Sequence, residues 1–271
     1  MTIPAINAVI NFSTGPVFAN PFVLDVGVLG TNVLADSAGV IVDISNQVDQ
    51  ITTTRGRNVT ADQFQTGTLT MRIVDLNGDF NPMNTAGPYY GLLTPMRKVI
   101  INATYSGVVY PIFAGYITSY TTVTPKFVGD VAYTTITAID GFRLFNLAQI
   151  ATVAGAAAGD LASTRINQIL DTIQWPASMR EIDTGVQTVQ TDPGTARTSL
   201  QAMQTVELSE YGALYMNAVG NVEFHNRNKV SGSVGGTPTV FSDTGSGLKY
   251  YNALWLLNDA LVYNSASITR T

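Results

Sequence analysis

The sequence contains no cysteine, which excludes disulfides and thiolate chemistry. That absence suits assembly in a reducing cytoplasm. Charge is scarce: Asp, Glu, Lys and Arg make up 12% of the chain, about half the usual share. The polar surface must therefore be built from Thr, Ser, Asn, Gln and Gly. Interface cores are depleted in charge, so much of this surface is expected to face other subunits. The bland alternative is a neutral, Thr/Asn-rich monomer. There is one histidine, His225, and any nucleophile–histidine–acid triad would have to use it. The two tryptophans, Trp175 and Trp255, are too few and too far apart to mark a carbohydrate-binding β module. No apolar run approaches the ~18 residues of a membrane span. The first basic residue is Arg55, so no secretory n-region is expected. Sequons such as Asn58-Val59-Thr60 lose their meaning without a secretory route. A formal net charge of −5 and a pI near 4.7 argue against a general phosphate-binding surface, which needs clustered Lys and Arg.

What the chain does have is β character. Its 271 residues suit about two domains, and 45% are hydrophobic, ample for a core. The stretch from Arg55 to Tyr116 reads as one β-rich module. Within Gln65 to Asp75, Leu69, Met71 and Ile73 alternate with Thr68, Thr70 and Arg72, the period of a half-buried strand. Asn77-Gly78 suits a tight turn, and Phe80-Asn81-Pro82 leaves the strand because proline cannot donate to a ladder. Val99, Ile101, Ala103 and Tyr105 define the face of another strand. Ser106-Gly107 turns the chain into a further strand from Val108 to Thr118.

Arg55-Gly56-Arg57, Gln63-Phe64-Gln65-Thr66-Gly67-Thr68, Asp75-Leu76-Asn77-Gly78-Asp79-Phe80-Asn81-Pro82-Met83-Asn84, Gly87-Pro88-Tyr89-Tyr90 and Phe113-Ala114-Gly115-Tyr116-Ile117 follow one another in order. In that order and spacing they resemble the N-terminal half of bacteriophage tail hub proteins, also called baseplate hub or minor tail proteins. The pattern runs over residues 40–143 and ends in Ala138-Ile139-Asp140-Gly141-Phe142. The resemblance implies a tail-tube-like antiparallel β-barrel hub domain, assembled as a homotrimer in a pseudo-sixfold ring.

Along the chain, residues 1–35 are apolar and rich in turn formers, with a strand at Phe22–Val26 and another at Val40–Ile44. Ser45–Val48 reads as a short turn and Ile51–Thr54 leads into Arg-Gly-Arg. After Thr118 the chain continues to Val123, turns at Val128-Gly129-Asp130 and returns to Ile139 as a long hairpin. Ala148–Gly159 is low in complexity and reads as a linker. Asp160 is placed as a helix cap, followed by Ala162, Ile166, Ile169, Leu170 and Ile173 at helical spacing, with Trp175-Pro176 ending the helix. A second helix starts after Thr195 with Leu200, Met203 and Val206 on its buried side and stops near Gly212. Ala213–Asn217 and Asn221–His225 form a hairpin, and its Gly212-Ala213-Leu214-Tyr215 matches a strand seen in hub relatives. Ser231–Gly236 reads as a flexible loop, and Thr239–Thr271 returns to β character. The fold class is mainly β with an α+β insertion. The domains are a first barrel at 1–147, a linker at 148–158, an α+β domain at 159–230, and the start of a second, incomplete barrel at 231–271.

Chemistry finds little support. His225, between Phe224 and Asn226, reads as structural or solvated, with no Gly-x-Ser-x-Gly or Cys partner. Glu207 and Glu210, at i and i+3, read as exposed helix neighbours rather than a hydrolytic pair; Glu181 and Asp183 read similarly. Asp75–Asp79 has the start of a calcium loop without its spacing or closing Glu, and a hairpin turn explains it. Gly232–Gly236 lacks the context of a nucleotide loop. Arg55 and Arg57, before a polar loop, are candidates for pairing with acids of a neighbouring subunit. Tyr89 and Tyr90 are candidate contact anchors, with packing over the barrel mouth as the other role. The expected protein is a non-enzymatic virion component of the tail tip, assembled in the host cytoplasm. It needs no cofactor or metal. It joins a tail tube or distal tail protein to a spike or tail-fibre protein, and its open bore lets genomic DNA pass without specific binding. The alternatives are a hexameric distal tail or tube-type ring protein and, from another class, a tail-associated cell-wall hydrolase with Glu207 or Glu181 as acid.

Overall fold

A computed structural model of the chain describes residues 3–12, 40–58, 63–123, 131–234, 240–242 and 249. Seven strands form the principal sheet: β1 (Ala5–Asn11), β2 (Ile41–Asp43), β3 (Val48–Asn58), β4 (Gln63–Val74), β5 (Lys98–Tyr105), β6 (Val108–Val123) and β7 (Tyr133–Ile139). Their order is β2-β1-β5-β6-β7-β4-β3, and every pairing is antiparallel. The period of two decides which face is buried. Leu69, Met71 and Ile73 of β4 meet Ala138 and Ile136 of β7, while Val99 and Ile101 of β5 meet Ile10 and Ala8 of β1, all in one core. Thr68, Thr70 and Arg72 point outward, exposed. The fold is therefore mainly β with antiparallel sheets. Among the described residues the principal sheet does not close on itself: β2 and β3 are its two edges, and no closed barrel is found.

The turns follow their chemistry. Ser106 and Gly107 have φ of +50° and +80° and join Tyr105 to Val108, the left-handed pair that a two-residue hairpin turn requires. The long β6–β7 hairpin forms as expected, from Tyr116 opposite Ile139 to Val123 opposite Tyr133; its turn at 128–130 lies outside the described residues, as does the Phe22–Val26 strand. Asp75–Asp79 is not a hairpin turn. The Asp75 carboxylate accepts from the Asp79 and Phe80 amides and from Thr134 Oγ1, at 2.7, 3.1 and 3.0 Å. That buried side-chain anchor starts a chain of turns running to residue 97, across the core. β1 was not expected. Its Ala8 and Ile10, followed by Phe12, are buried at alternate positions.

A second core follows. It contains α1 (Phe142–Leu147), β8 (Gln149–Ile150), β9 (Asp160–Leu161), α2 (Ala162–Thr172), β10 (Arg180–Ile182), β11 (Thr188–Val189), β12 (Arg197–Thr198), α3 (Ser199–Glu210), β13 (Ala213–Met216), β14 (Val222–His225) and α4 (Arg227–Val234). Two helices and a hairpin form where the spacing places them: α2 buries Ala162, Ile166, Ile169 and Leu170 against Met203 and Val206 of α3 and Leu214, Met216 and Phe224 of the hairpin. This core also takes Phe142 and Phe145, and Ile150 and Val153 from the Ala-rich segment 148–158. Asp160 does not cap α2. Its carboxylate accepts from the Ala157 amide and from Arg165 Nη2, and no side chain caps that helix. Thr198 caps α3 by accepting from the Gln201 amide at 3.1 Å. Ser231–Val234 is not loop but the last turn of α4, whose Asn226 side chain accepts from the Lys229 amide at 2.9 Å. The expected strands of 239–271 lie outside the described residues, apart from 240–242 and 249.

Candidate functional site

The two cores meet where β3, β4 and the end of β7 face the β13–β14 hairpin. Between Thr54 and Gly56 the β3–β4 register shifts by a bulge, which locally bends a strand and re-aims its side chains. Arg55 sits on this bulge. Its guanidinium donates to the Ile112 carbonyl at 2.9 Å and to the Met216 carbonyl at 3.1 Å, so one side chain ties β6 of the sheet to β13 of the second core. Phe64 of β4 lies against Tyr215 with ring centroids 4.7 Å apart, and Arg57 stands 6.0 Å over the Phe64 ring. Arg55, Phe64, Gln65, Asp140, Tyr215 and Met216 line a cavity of about 270 Å³.

Asp140 is the group that sequence reasoning passed over. It is buried, and its oxygens accept from the Gly67 amide at 2.6 Å and the Phe142 amide at 3.0 Å. Its own amide donates to the Gly67 carbonyl at 3.0 Å. Position 67 must be glycine for this approach: an added Cβ would stand 2.8 Å from Asp140 Oδ2 and 3.0 Å from Arg55 Cγ. Burial pushes the Asp140 carboxyl up to about 6, against the opposing pull of the two amides and the Arg55 charge. The visible signal was an Asp closing an apolar strand just before Gly-Phe and a helix, a position where its side chain can hold the next backbone amides.

The other named residues scatter. Tyr89 stacks on Phe12 at 5.1 Å and tilts against Phe80 at 5.0 Å, at the margin of the sheet core. Tyr90 beside it is exposed. The four candidates Arg55, Arg57, Tyr89 and Tyr90 thus do not form one cluster: the two arginines belong to the β3 bulge and the two tyrosines to the turns after Asp75.

Glu207 and Glu210 are not exposed neighbours. Both are buried. Glu207 Oε1 accepts from the Leu214 amide at 2.8 Å. Glu210 accepts from the amides of Val186 and Gln187 at 3.1 and 2.7 Å. The physical reason is that the chain turns back on itself at Gly212, and the last turn of α3 brings its carboxylates to backbone donors of β13 and of the loop before β11 that no strand satisfies. Glu181 accepts from the side chains of Asn217 and Asn221 at 3.0 and 2.8 Å, holding the hairpin turn. Asp183 pairs with Lys229. His225 Nε2 lies 2.6 Å from Glu223 Oε1 and 3.3 Å from Tyr215 Oη, a local cross-strand set; desolvation and the neighbouring Glu223 hold the Tyr215 phenol well above its ordinary range. Among the described residues no group of three His, Cys, Asp or Glu side chains could hold a metal, and no helix is long and apolar enough to cross a membrane.

No family model matches the chain, and no curated protein does. Among solved structures it is similar to a tail protein from Neisseria meningitidis MC58, with a TM-score of 0.40 and 10% identity over 64% of this chain and 50% of that one. It is also similar to the 43 kDa tail protein of prophage MuSo2 from Shewanella oneidensis, with a TM-score of 0.38 and 10% identity over 65% of this chain and 54% of that one. The chain spans about half the length of the two solved proteins it matches.

Proposed function

We propose that this chain is a structural subunit of a phage tail, a hub copy that closes with others of its kind into a ring. The observation that carries the reading is the seven-stranded sheet, open among the described residues, with β2 on one edge and the eleven-residue β3 on the other. An unpaired edge offers a row of backbone donors and acceptors to another chain. Two unlike edges on one sheet suit head-to-tail contacts, which close into rings when the rotation allows. The motif order over residues 40–143 supports the same role, as does a surface poor in charge, which suits large permanent interfaces. In this reading the ring is a trimer, its barrels completed between copies. It joins the tail tube or distal tail protein above to a spike or tail-fibre protein below, at the tail tip of the virion. Genomic DNA passes through its bore unbound. In this reading Arg57 on the edge strand β3 and the exposed Tyr90 contact a neighbouring copy, whereas Arg55 and Tyr89 are engaged within the chain. The start of a second barrel at 231–271 belongs to the same reading. Negative-stain electron microscopy of the purified chain tests the reading: it is expected to show annular particles with a central hole, and a field of single compact particles at every concentration would refute it.

A further inference from the structure

Asn77 is the one asparagine of the sequence that a glycine follows. It is exposed, in the turn that leaves β4. The side chains of Asn81, Asn84, Asn217 and Asn226 are each held by a hydrogen bond. Among the described residues none holds the Asn77 side chain; only its main-chain carbonyl is engaged, by Asn84 Nδ2 at 3.4 Å. The side-chain amide is therefore free to rotate toward the next backbone nitrogen. That nitrogen, of Gly78, donates to the Asp75 carbonyl at 3.3 Å, longer than the about 2.7–3.2 Å of a firm bond. Gly78 has φ of +69° and carries no Cβ to hinder the approach. Asn77 also lines a recess of about 200 Å³ with Asn46, Gln47, Asp75 and Asp79, polar and roomy enough for water.

We infer that Asn77 is a site of spontaneous covalent modification, converting to aspartate and isoaspartate through a cyclic imide with Gly78. The Gly78 nitrogen attacks Asn77 Cγ and bonds to it. The Cγ–Nδ2 bond breaks, and Nδ2 leaves as ammonia with the proton that Gly78 gives up. Water then opens the ring. Attack at Cγ yields aspartate in an unchanged main chain, and attack at the main-chain carbonyl yields isoaspartate. The sum consumes one water and releases one ammonia, with no oxidant or reductant. Elsewhere the residue after asparagine carries a Cβ that crowds the attacking nitrogen, as at Asn58-Val59 and Asn146-Leu147. Either product puts a new carboxylate between those of Asp75 and Asp79. Isoaspartate also lengthens the main chain by one carbon, just ahead of the Asp79 and Phe80 amides that the Asp75 carboxylate holds. The modification thus falls where the chain enters the turns that cross the sheet core.

The test is intact-mass and peptide mass spectrometry of the full chain aged in mildly alkaline buffer, beside the free peptide Leu76-Asn77-Gly78-Asp79-Phe80 and the Asn77→Gln variant. The folded chain is expected to gain about 1 Da, to show that gain at Asn77 before any other asparagine, and to give an isoaspartate signal there that Asn77→Gln lacks. Circular dichroism of the aged sample establishes that the folded chain is what reacts. A folded chain that stays unconverted at Asn77 over the period in which the free peptide converts would overturn the inference, as would a gain that appears first at another asparagine.

Discussion

Asp140 makes the stability of the chain depend on pH in a direction opposite to most carboxylates. Its folded pKa is raised from 3.8 to about 6, so the folded state prefers the protonated form. Its contribution is fully present below pH 3.8 and is lost as pH rises through about 6. A shift of this size corresponds to about 3 kcal/mol, a large part of the roughly 5–15 kcal/mol of a typical domain. The perturbation is Asp140→Asn, which keeps the shape and removes the titration. Urea unfolding followed by fluorescence is well placed, because buried Trp175 lies next to Gly141. The substitution itself costs one amide acceptor at all pH values, about 1–3 kcal/mol. The wild type is expected to lose up to about 3 kcal/mol relative to the variant between pH 4 and pH 7. A difference between the two proteins that stays flat from pH 4 to pH 8 would refute the reasoning.

Three further outcomes follow from the geometry. Glu210→Ala strands the Val186 and Gln187 amides and is expected to lower unfolding free energy by about 3 kcal/mol, with Glu210→Gln recovering part of it in the same urea titration. Arg55→Ala removes the contact to the Ile112 carbonyl within the sheet and the contact to the Met216 carbonyl of the hairpin; a loss of about 1–3 kcal/mol and faster amide exchange around Met216 are expected, and unchanged exchange there would speak against the tie. Tyr89→Ala removes a ring packed on Phe12 and Phe80 and should cost about 2–4 kcal/mol, whereas Tyr90→Ala at an exposed position should change thermal stability by no more than about 0.5 kcal/mol.

The strands with clean alternation were legible in the sequence. β4 and β5 carry Leu69-x-Met71-x-Ile73 and Val99-x-Ile101, and a period of two on a half-buried face has one reading. The α2 and α3 helices were legible for the same reason. What escaped were features set by distant partners. β1 alternates only through Ala8, Ile10 and Phe12, and β5 completes its case from about ninety residues away. The 148–158 segment looks like linker in composition, yet Ile150 and Val153 enter the second core, because two well-placed apolar residues suffice where a groove exists. Helical spacing alone reads Glu207 and Glu210 as solvated, since it says nothing about which backbone amides come to rest beside them. Asp140 had the local cue of a strand-ending Asp before Gly-Phe, but its partner Gly67 lies seventy-three residues away.

The proposed ring requires that this chain complete its sheet with copies of itself. Native mass spectrometry of the unmodified chain across a concentration series tests it most directly. A closed species of three copies is expected; six copies would assign the ring to a distal tail or tube type, and a single copy at every concentration would refute ring assembly.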